Sequence, residues 1–274
     1  MNNLLQRILT ALVAGSVAIG AIYYHAYGLL AFCAIVSMVG LWEFMSVMGV
    51  GEARYKIPVM MLGGAAWIVA FCEIYFASAR EIPISLYVII FLCLLPLIEL
   101  IALFNQQEKE PVHTLGTVLL AFVYCFLPIL LLFKLAMPEQ ASVYDPMLPL
   151  GILLLTWVLD SGAYFAGRFL GKNPLFPRIS PKKTWEGAIG GVILTLGLAW
   201  VLQTYHAPEG YSWWVIAAII SVFSQLGDLV ESMFKRSVQL KDSGSILPGH
   251  GGMLDRFDGV YLSVPFIFFY FYLL

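Results

Sequence analysis

The chain has 274 residues, of which 61% are hydrophobic and 12% are charged, and its mean hydropathy is +0.86. These values lie outside those of soluble globular domains and indicate an integral membrane protein. The formal net charge of −2 provides no basic excess that would suggest a nucleic-acid partner. The same composition excludes a disordered chain and a small disulfide-linked domain.

About nine apolar stretches are long enough to cross a bilayer, whose hydrocarbon core needs about 20 helical residues. The spans are predicted at 8–24, 28–48, 57–77, 83–104, 114–137, 147–167, 188–206, 212–231 and 259–274. We therefore predict an all-α fold, a polytopic helical bundle that forms one membrane domain over 1–274. Residues 1–146 supply apolar N-terminal helices, and residues 147–274 form the half predicted to be catalytic.

The distribution of basic residues predicts the orientation, because Lys and Arg stay on the cytoplasmic side of a membrane. With the N-terminus in the cytoplasm, only Arg80 and Lys134 of the 15 Lys and Arg residues fall outside. Most of the others lie in two loops, after spans six and eight. We therefore predict a cytoplasmic N-terminus and an active site that faces the cytoplasm.

Two predicted spans carry acids toward the bilayer, where an ionisable group usually lines a cavity or has a partner. Asp160 lies about two turns inside the cytoplasmic end of span six. In span eight, four polar side chains share one helical face, with Glu231 beside it: Gln225, Asp228, Ser232 and Lys235. A functional site is favoured at both places. The alternatives are an Asp160–Arg168 salt bridge or a helix cap in span six, and pairing with Lys235 in span eight.

The loop after span six contains the sequence S-P-K-K-T-W-E-G at residues 180–187. Ser180 can cap a helix, Pro181 suits a first helical turn, and Lys182, Lys183 and Thr184 would cluster at the positive end of that helix. This arrangement is typical of phosphate binding. The alternative is an ordinary basic cluster that anchors span seven in anionic lipid.

The segment 241–259 follows span eight and matches neither a helix nor a strand. Long connections of this kind are usually functional. Its glycines, Gly251 and Gly252 among them, would let backbone N–H groups approach a phosphate. Lys241 and Arg256 could neutralise phosphate oxygens.

The same segment offers ligands for a cation. Asp255 and Asp258 could hold a hard ion, and Mg²⁺ is favoured over zinc because the segment contains one histidine and no cysteine. That histidine, His250, is either a base or phosphate donor, or a side chain bonded to the backbone of a glycine turn.

At this point the motifs resemble those of a known family. Residues 232–258 read S-M-F-K-R-S-V-Q-L-K-D-S-G-S-I-L-P-G-H-G-G-M-L-D-R-F-D and resemble the full signature of phosphatidate cytidylyltransferases, also called CDP-diacylglycerol synthases. The sequences D-S-G-A-Y at 160–164, S-P-K-K-T-W-E-G at 180–187 and Q-L-G-D-L-V-E-S at 225–232 also resemble family motifs, in the family's order. The resemblance covers about the C-terminal half of the chain.

The resemblance implies a metal-dependent nucleotidyltransferase of phospholipid biosynthesis. Its substrates would be CTP and phosphatidic acid, and its products CDP-diacylglycerol and pyrophosphate. The family implies a homodimer in contact with membrane lipid, and we expect it in the cytoplasmic membrane of a bacterium. Asp228 and Asp255 resemble the family's metal-binding carboxylates and would hold Mg²⁺, with a second cation such as K⁺ nearby.

The implied reaction and the charges of the side chains together predict two groups of site residues. The catalytic group is Asp228, Asp255, Lys235, Arg256 and Lys241. The substrate-binding group is Lys182, Lys183, Thr184, Ser180, Ser232, Arg236, His250, Gly251, Gly252, Asp160 and Asp258. Glu186 and Asp242 are further candidates for contacts with a metal, the cytosine or the lysines.

Two other functions remain open from the sequence. A CTP-dependent polyprenol or phytol kinase would share the nucleotide, the metal and the membrane, but would transfer the γ-phosphoryl group. A transporter of a phosphorylated solute would use intramembrane acids to mark its path: Glu43, Glu73, Glu99, Asp160 and Asp228. The transporter is disfavoured because polar residues gather at the predicted cytoplasmic ends of the spans. Glu43, Glu73 and Glu99 are otherwise expected to reach the interface or to pair with a neighbouring helix.

Overall fold

The computed structural model describes residues 3–50, 53–75, 84–92, 94–105, 110–137, 144–206, 208, 210–240, 243–244 and 251–274. These residues are mostly helical, with one two-stranded hairpin, so the predicted all-α class is confirmed. The chain divides into two compact units. The first unit comprises Met1–Pro146 and Ser243–Leu254, and the second comprises Met147–Asp242 and Asp255–Leu274.

The described part of the first unit is mostly helical. Its helices are α1 (Asn3–Tyr24), α2 (Ala26–Val47), α3 (Ala53–Tyr75), α4 (Ile84–Leu92), α5 (Leu94–Phe104), α6 (Pro111–Ala121) and α7 (Leu127–Leu135), with a π-helical segment at Phe122–Phe126. Pro128 explains the π-helical segment, because a proline has no N–H for the carbonyl four residues earlier and the hydrogen-bond pattern shifts. The N–H of Leu127 accordingly donates to the carbonyl of Phe122, five residues back.

Trp67 of α3 lies in the apolar core of the first unit. Its buried ring lies 5.7 Å from the ring centroids of both Phe126 and Phe133. Its indole N–H donates to Ser37 Oγ of α2 at 2.9 Å, which satisfies the polar atom of a buried tryptophan. Helices α2, α3 and α7 and the π-helical segment therefore share one core.

Two polar contacts in the first unit join residues that the predicted orientation puts on the same side of the membrane. Lys134 Nζ of α7 lies 2.5 Å from Glu73 Oε1 of α3. The Tyr144 hydroxyl donates to the carbonyl of Ile22 in α1 at 2.5 Å. Glu73 was expected either to reach the interface or to pair with a neighbouring helix, and it does the second. Glu99 is exposed on α5.

The second unit contains the region predicted to be catalytic. Its elements are α8 (Met147–Leu170), β1 (Pro174–Phe176), β2 (Ser180–Thr184), α9 (Trp185–Tyr205), α10 (Trp213–Ser237) and α11 (Leu254–Tyr272), whose first residue belongs to the first unit. Glycines let α8 and α9 pack closely. A Cβ atom would lie 2.7 Å from the Leu159 carbonyl oxygen at Gly191, and 2.8 Å from the Ala163 carbonyl oxygen at Gly187. Such backbone contacts are typical of membrane helix pairs with small residues at the interface.

The hairpin shows that the predicted helix start at Ser180 is wrong. Strands β1 and β2 are antiparallel, with Ser180 opposite Phe176, so Ser180 is not a cap and Pro181 is not in a first helical turn. Thr184 caps α9 instead, because its extended backbone lets Oγ1 accept the N–H of Gly187 at 3.2 Å. A two-stranded hairpin tolerates Pro181 because an edge strand has N–H positions that need no partner in the sheet.

Six helices among the described residues are long and apolar enough to cross a membrane, so the predicted count of nine is not confirmed. They are α2, α3, the continuous helix Pro111–Leu135, α8, α9 and α10. The predicted span 8–24 lies within α1. The predicted span 83–104 comprises α4 and α5 on either side of Cys93, which lies outside the described residues. The ninth span corresponds to α11, which starts at Leu254. Residues 254–258 are therefore helical, which corrects the prediction that all of 241–259 is irregular.

Candidate active site

Helices α10 and α11 approach closely at Gly227. A Cβ atom at Gly227 would lie 3.0 Å from the carbonyl carbon of Asp258 and 3.2 Å from the Cα of Gly259. Glycine permits this approach of two backbones because it has no side chain. Since Asp228 follows Gly227 and Asp258 precedes Gly259, the contact brings two predicted site acids to neighbouring positions.

Negative charge accumulates around this contact. Burial raises the pKa of the Asp258 carboxyl well above its usual range, and the charges of Asp228 and Asp160 raise it further. A hydrogen bond that Asp258 Oδ1 accepts from the N–H of Gly259 at 2.7 Å acts in the opposite direction. These three carboxylates, from α8, α10 and α11, form an acidic cluster whose ionised state a cation or a basic side chain would stabilise.

Lys183 brings a positive charge to the acidic cluster from β2. Its ammonium group forms an ion pair with Asp228 Oδ2. Asp160 interacts electrostatically with both Lys183 and Arg256. Lys182 is exposed, as expected for a residue whose neighbour in a strand points to the opposite face. The two adjacent lysines, which were predicted to bind phosphate together, therefore differ: Lys183 is ion paired with Asp228, and Lys182 is exposed.

Lys235 of α10 forms a second charged group with two acids. Its Nζ lies 2.5 Å from Glu231 Oε2 and 2.6 Å from Asp255 Oδ1. The three side chains are largely buried, at 13% exposed for Lys235, 4% for Glu231 and 11% for Asp255. Pairing with Lys235, the alternative stated for span eight, therefore occurs, and one of the two partners is Asp255 of α11. Glu231, predicted to lie beside the polar face of this span, is absent from the predicted site residues, although its position four residues before Lys235 indicates such a pair.

Three other predicted binding residues have local partners. Ser232 Oγ donates to Asp228 Oδ1 at 3.4 Å, which extends the acidic cluster along one face of α10. Arg236 is exposed, and its guanidinium donates to the carbonyl of Leu240 at 3.1 Å, beyond the C-terminal end of α10. Thr184 caps α9, so its hydroxyl already serves the fold.

Glu186, a further candidate, organises the backbone after α8. Its Oε2 accepts the N–H groups of Lys172 and Asn173 at 3.1 and 3.2 Å, and its Oε1 accepts from the Asn173 side chain at 2.7 Å. These contacts join the first turn of α9 to the residues before β1. Glu186 therefore has a structural role.

The remaining predicted residues are not brought to the acidic cluster by any described contact. Gly251 and Gly252 belong to the first unit. Lys241, Asp242 and His250 lie outside the described residues. Their roles stay predictions.

The chemistry of the side chains in the second unit suits a hard cation. The donors are carboxylate oxygens, and all four cysteines of the chain precede residue 147. Within the described ranges, no three His, Cys, Asp or Glu side chains surround one point where an ion could bind. Mg²⁺ does not require such a set, because it commonly binds one or two carboxylates and takes its other ligands from water and substrate phosphates.

Comparison with known proteins assigns the family. A family model described as the cytidylyltransferase family matches residues 5–274. The chain belongs to this family. The match extends over both units, which confirms the resemblance found in the C-terminal motifs.

Similar proteins carry the name phosphatidate cytidylyltransferase. The one from Bacillus subtilis is 51% identical over 118 residues, which cover 42% of this chain and 44% of that protein. The one from Haemophilus influenzae is 45% identical over 142 residues, 48% of this chain and 49% of that protein. A third, from Staphylococcus saprophyticus, is 49% identical over 116 residues, 42% of this chain and 45% of that protein. The chain thus spans about half the length of the curated relatives it matches.

Proposed function

We propose that the chain transfers the cytidylyl group of CTP to phosphatidic acid, giving CDP-diacylglycerol and pyrophosphate for phospholipid synthesis. One observation carries the proposal: Lys183 and Lys235 each pair with acids of the second unit, in a cytidylyltransferase-family chain with membrane-spanning helices. The names of the similar proteins support phosphatidic acid as the acceptor.

The reaction requires no protein nucleophile, because the phosphate of phosphatidic acid is itself one. One of its oxygens forms a bond to the α-phosphorus of CTP. The bond from that phosphorus to the α,β-bridging oxygen breaks, and the oxygen leaves with pyrophosphate. The protein must hold two anions together and offset their charge. Lys183, Lys235 and Arg256 supply positive charge for this purpose, and the neighbouring acids orient the two lysines.

We further propose that Asp228 and Asp255 hold Mg²⁺. When bound, the ion supplies charge neutralisation for the pyrophosphate leaving group. A second cation, such as K⁺, would offset the remaining negative charge around Asp160 and Asp258. Lys183 and Lys235 contact the two proposed ligand carboxylates, so these lysines are also well placed to contact phosphates held by the same ion.

The reaction is proposed to occur at the cytoplasmic face of a bacterial membrane, in a homodimer. The basic loops after α8 and α10 support this orientation. The dimer rests on the family resemblance. Light scattering of the purified protein in detergent should give twice the chain mass, and a monomer mass would contradict the dimer.

The transporter alternative loses support from two of its acids. Glu73 pairs with Lys134, and the Glu43 carboxylate accepts a backbone N–H from Leu254. Both are therefore used within the packing of the first unit.

The test is to incubate the purified protein with phosphatidic acid, Mg²⁺ and CTP labelled at the α-phosphate. We expect the label in the lipid and an equal amount of released pyrophosphate. Label that stays in CDP while the γ-phosphoryl group moves to an alcohol would show a lipid kinase. Absence of turnover with every lipid acceptor would contradict both enzymes.

A further inference from the structure

Glu43 is a buried acid of α2 that has no role in the proposed reaction. Glu43 is 3% exposed, and its Oε2 accepts the backbone N–H of Leu254 at 3.0 Å. Leu254 is the first residue of α11, where N–H groups have no partner within the helix. A carboxylate is a strong acceptor for such a group. Glu43 therefore caps the backbone at a residue 211 positions away in the sequence.

Two glycines of the same unit leave room for this carboxylate. A Cβ atom at Gly244 would lie 2.6 Å from Glu43 Oε1 and 3.2 Å from its Cδ. A Cβ atom at Gly252 would lie 2.7 Å from Oε2 and 2.9 Å from Oε1. A larger residue at either position would force the Glu43 carboxylate to shift. Among the described residues of 243–254, Glu43 therefore lies against three: Gly244, Gly252 and Leu254.

We propose that Glu43 is a positioning residue for cytidylyl transfer, which acts by fixing the backbone of the segment formed by the described residues 243–244 and 251–254. This inference rests on the proposed function. The segment contains Gly251 and Gly252, whose N–H groups are predicted to approach phosphate, and it ends at the residue before Asp255 in the chain. Glycine leaves a backbone with many accessible conformations, and ordering it costs free energy. A carboxylate with contacts along the segment selects one conformation before substrate binds.

Backbone exchange tests the contact independently of activity. Glu43→Ala removes the carboxylate, Glu43→Gln keeps an acceptor oxygen without the charge, and Glu99→Ala is the control because Glu99 is an exposed acid on α5. We expect deuterium exchange at the amides of residues 251–254 to be about tenfold faster in Glu43→Ala, in line with loss of a hydrogen bond to a charged group. The increase should be smaller in Glu43→Gln and absent in Glu99→Ala.

Kinetics test whether the contact serves the reaction. We expect Glu43→Ala to lower kcat/KM for CTP about ten- to a hundredfold, and Glu43→Gln to lower it less. Gly244→Ala should lower activity in the parent and add little to the loss in the Glu43→Ala background, because the new methyl group then meets no carboxylate. A purely structural weakening would give additive losses and no recovery with glutamine. If Glu43→Ala does not fold, Glu43→Gln and Gly244→Ala provide the same comparison.

The outcomes separate this inference from the proposed function. An active parent with unchanged exchange in Glu43→Ala would overturn the inference alone. Faster exchange with unchanged kcat/KM would show that Glu43 holds the segment but does not serve the reaction, which also overturns it. A parent without cytidylyl transfer would overturn the proposed function, and the exchange result would still report on the contact.

Discussion

Replacing Lys235 with methionine should destabilise the protein and abolish transfer. Methionine keeps much of the apolar length of lysine but carries no charge. The substitution leaves Glu231 and Asp255 without the ammonium group that lies 2.5 and 2.6 Å from their oxygens. The two acids are 4% and 11% exposed, so water can replace little of the lost interaction.

The expected cost follows from this burial. Removing one partner of a buried ion pair costs about 3–5 kcal/mol, because the remaining charge is left uncompensated. Lys235 is itself 13% exposed, so water has some access to the site, and this access should bring the cost toward the lower end of the range, about 3 kcal/mol at neutral pH. The cost should fall in acid, since protonation of one carboxylate removes the repulsion between Glu231 and Asp255.

Reversible unfolding in mixed micelles, followed by tryptophan fluorescence, measures this difference in the free energy of unfolding. Arg236→Met is the matched control, because Arg236 is the next residue, is exposed and donates to a backbone carbonyl. Its cost should stay below about 1 kcal/mol. Equal costs for the two variants, or a cost of Lys235→Met that does not change with pH, would contradict a buried ion pair at Lys235.

Three further comparisons separate neighbouring roles. Lys183→Met should lower kcat/KM at least about tenfold, because Lys183 is ion paired within the acidic cluster. Lys182→Met should lower it less. Equal losses of kcat/KM in steady-state assays would contradict this difference. Thr184→Val should lower the free energy of unfolding by about 1 kcal/mol through loss of the N-cap of α9. Ser180→Ala should change it by less than about 0.5 kcal/mol. A larger loss in Ser180→Ala than in Thr184→Val would instead support the predicted cap at Ser180. Asp258→Asn should stabilise the metal-free protein near neutral pH, because the raised pKa of Asp258 makes stability fall as the pH rises above the usual aspartate range. Unfolding across pH checks this, and a gain confined to acid would contradict it.

Apolar length and charge placement predicted much of the fold. The bounds of the predicted spans 28–48 and 147–167 differ by at most a few residues from those of the helices Ala26–Val47 and Met147–Leu170. This agreement arises because a helix that crosses a bilayer must be apolar over a fixed length. The helical period of 225–235 likewise predicted that Asp228 and Ser232 share a face, and the structure places their oxygens 3.4 Å apart.

The contacts that sequence could not predict depend on tertiary packing. The five residues Ser180–Thr184 contain proline and two lysines and lack the alternation of apolar residues that predicts a strand. They form one only because β1 supplies a partner. The hydrogen bond from Leu254 to Glu43 leaves no local pattern, and the sole indication was an acid within an apolar helix. Glu43 was accordingly expected only to reach the interface or to pair with a helix.

Asp228 of α10 and Asp255 of α11 are proposed to serve cytidylyl transfer. The most direct measurement is the single-turnover rate of label transfer from α-labelled CTP to phosphatidic acid in Asp228→Asn and Asp255→Asn, at increasing Mg²⁺ and with Glu99→Gln as control. We expect rates at least about a hundredfold below the parent in both variants, as is typical when a group that stabilises transition-state charge is lost, and the parent rate in the control. Rates near that of the parent in folded Asp228→Asn and Asp255→Asn would contradict this proposal.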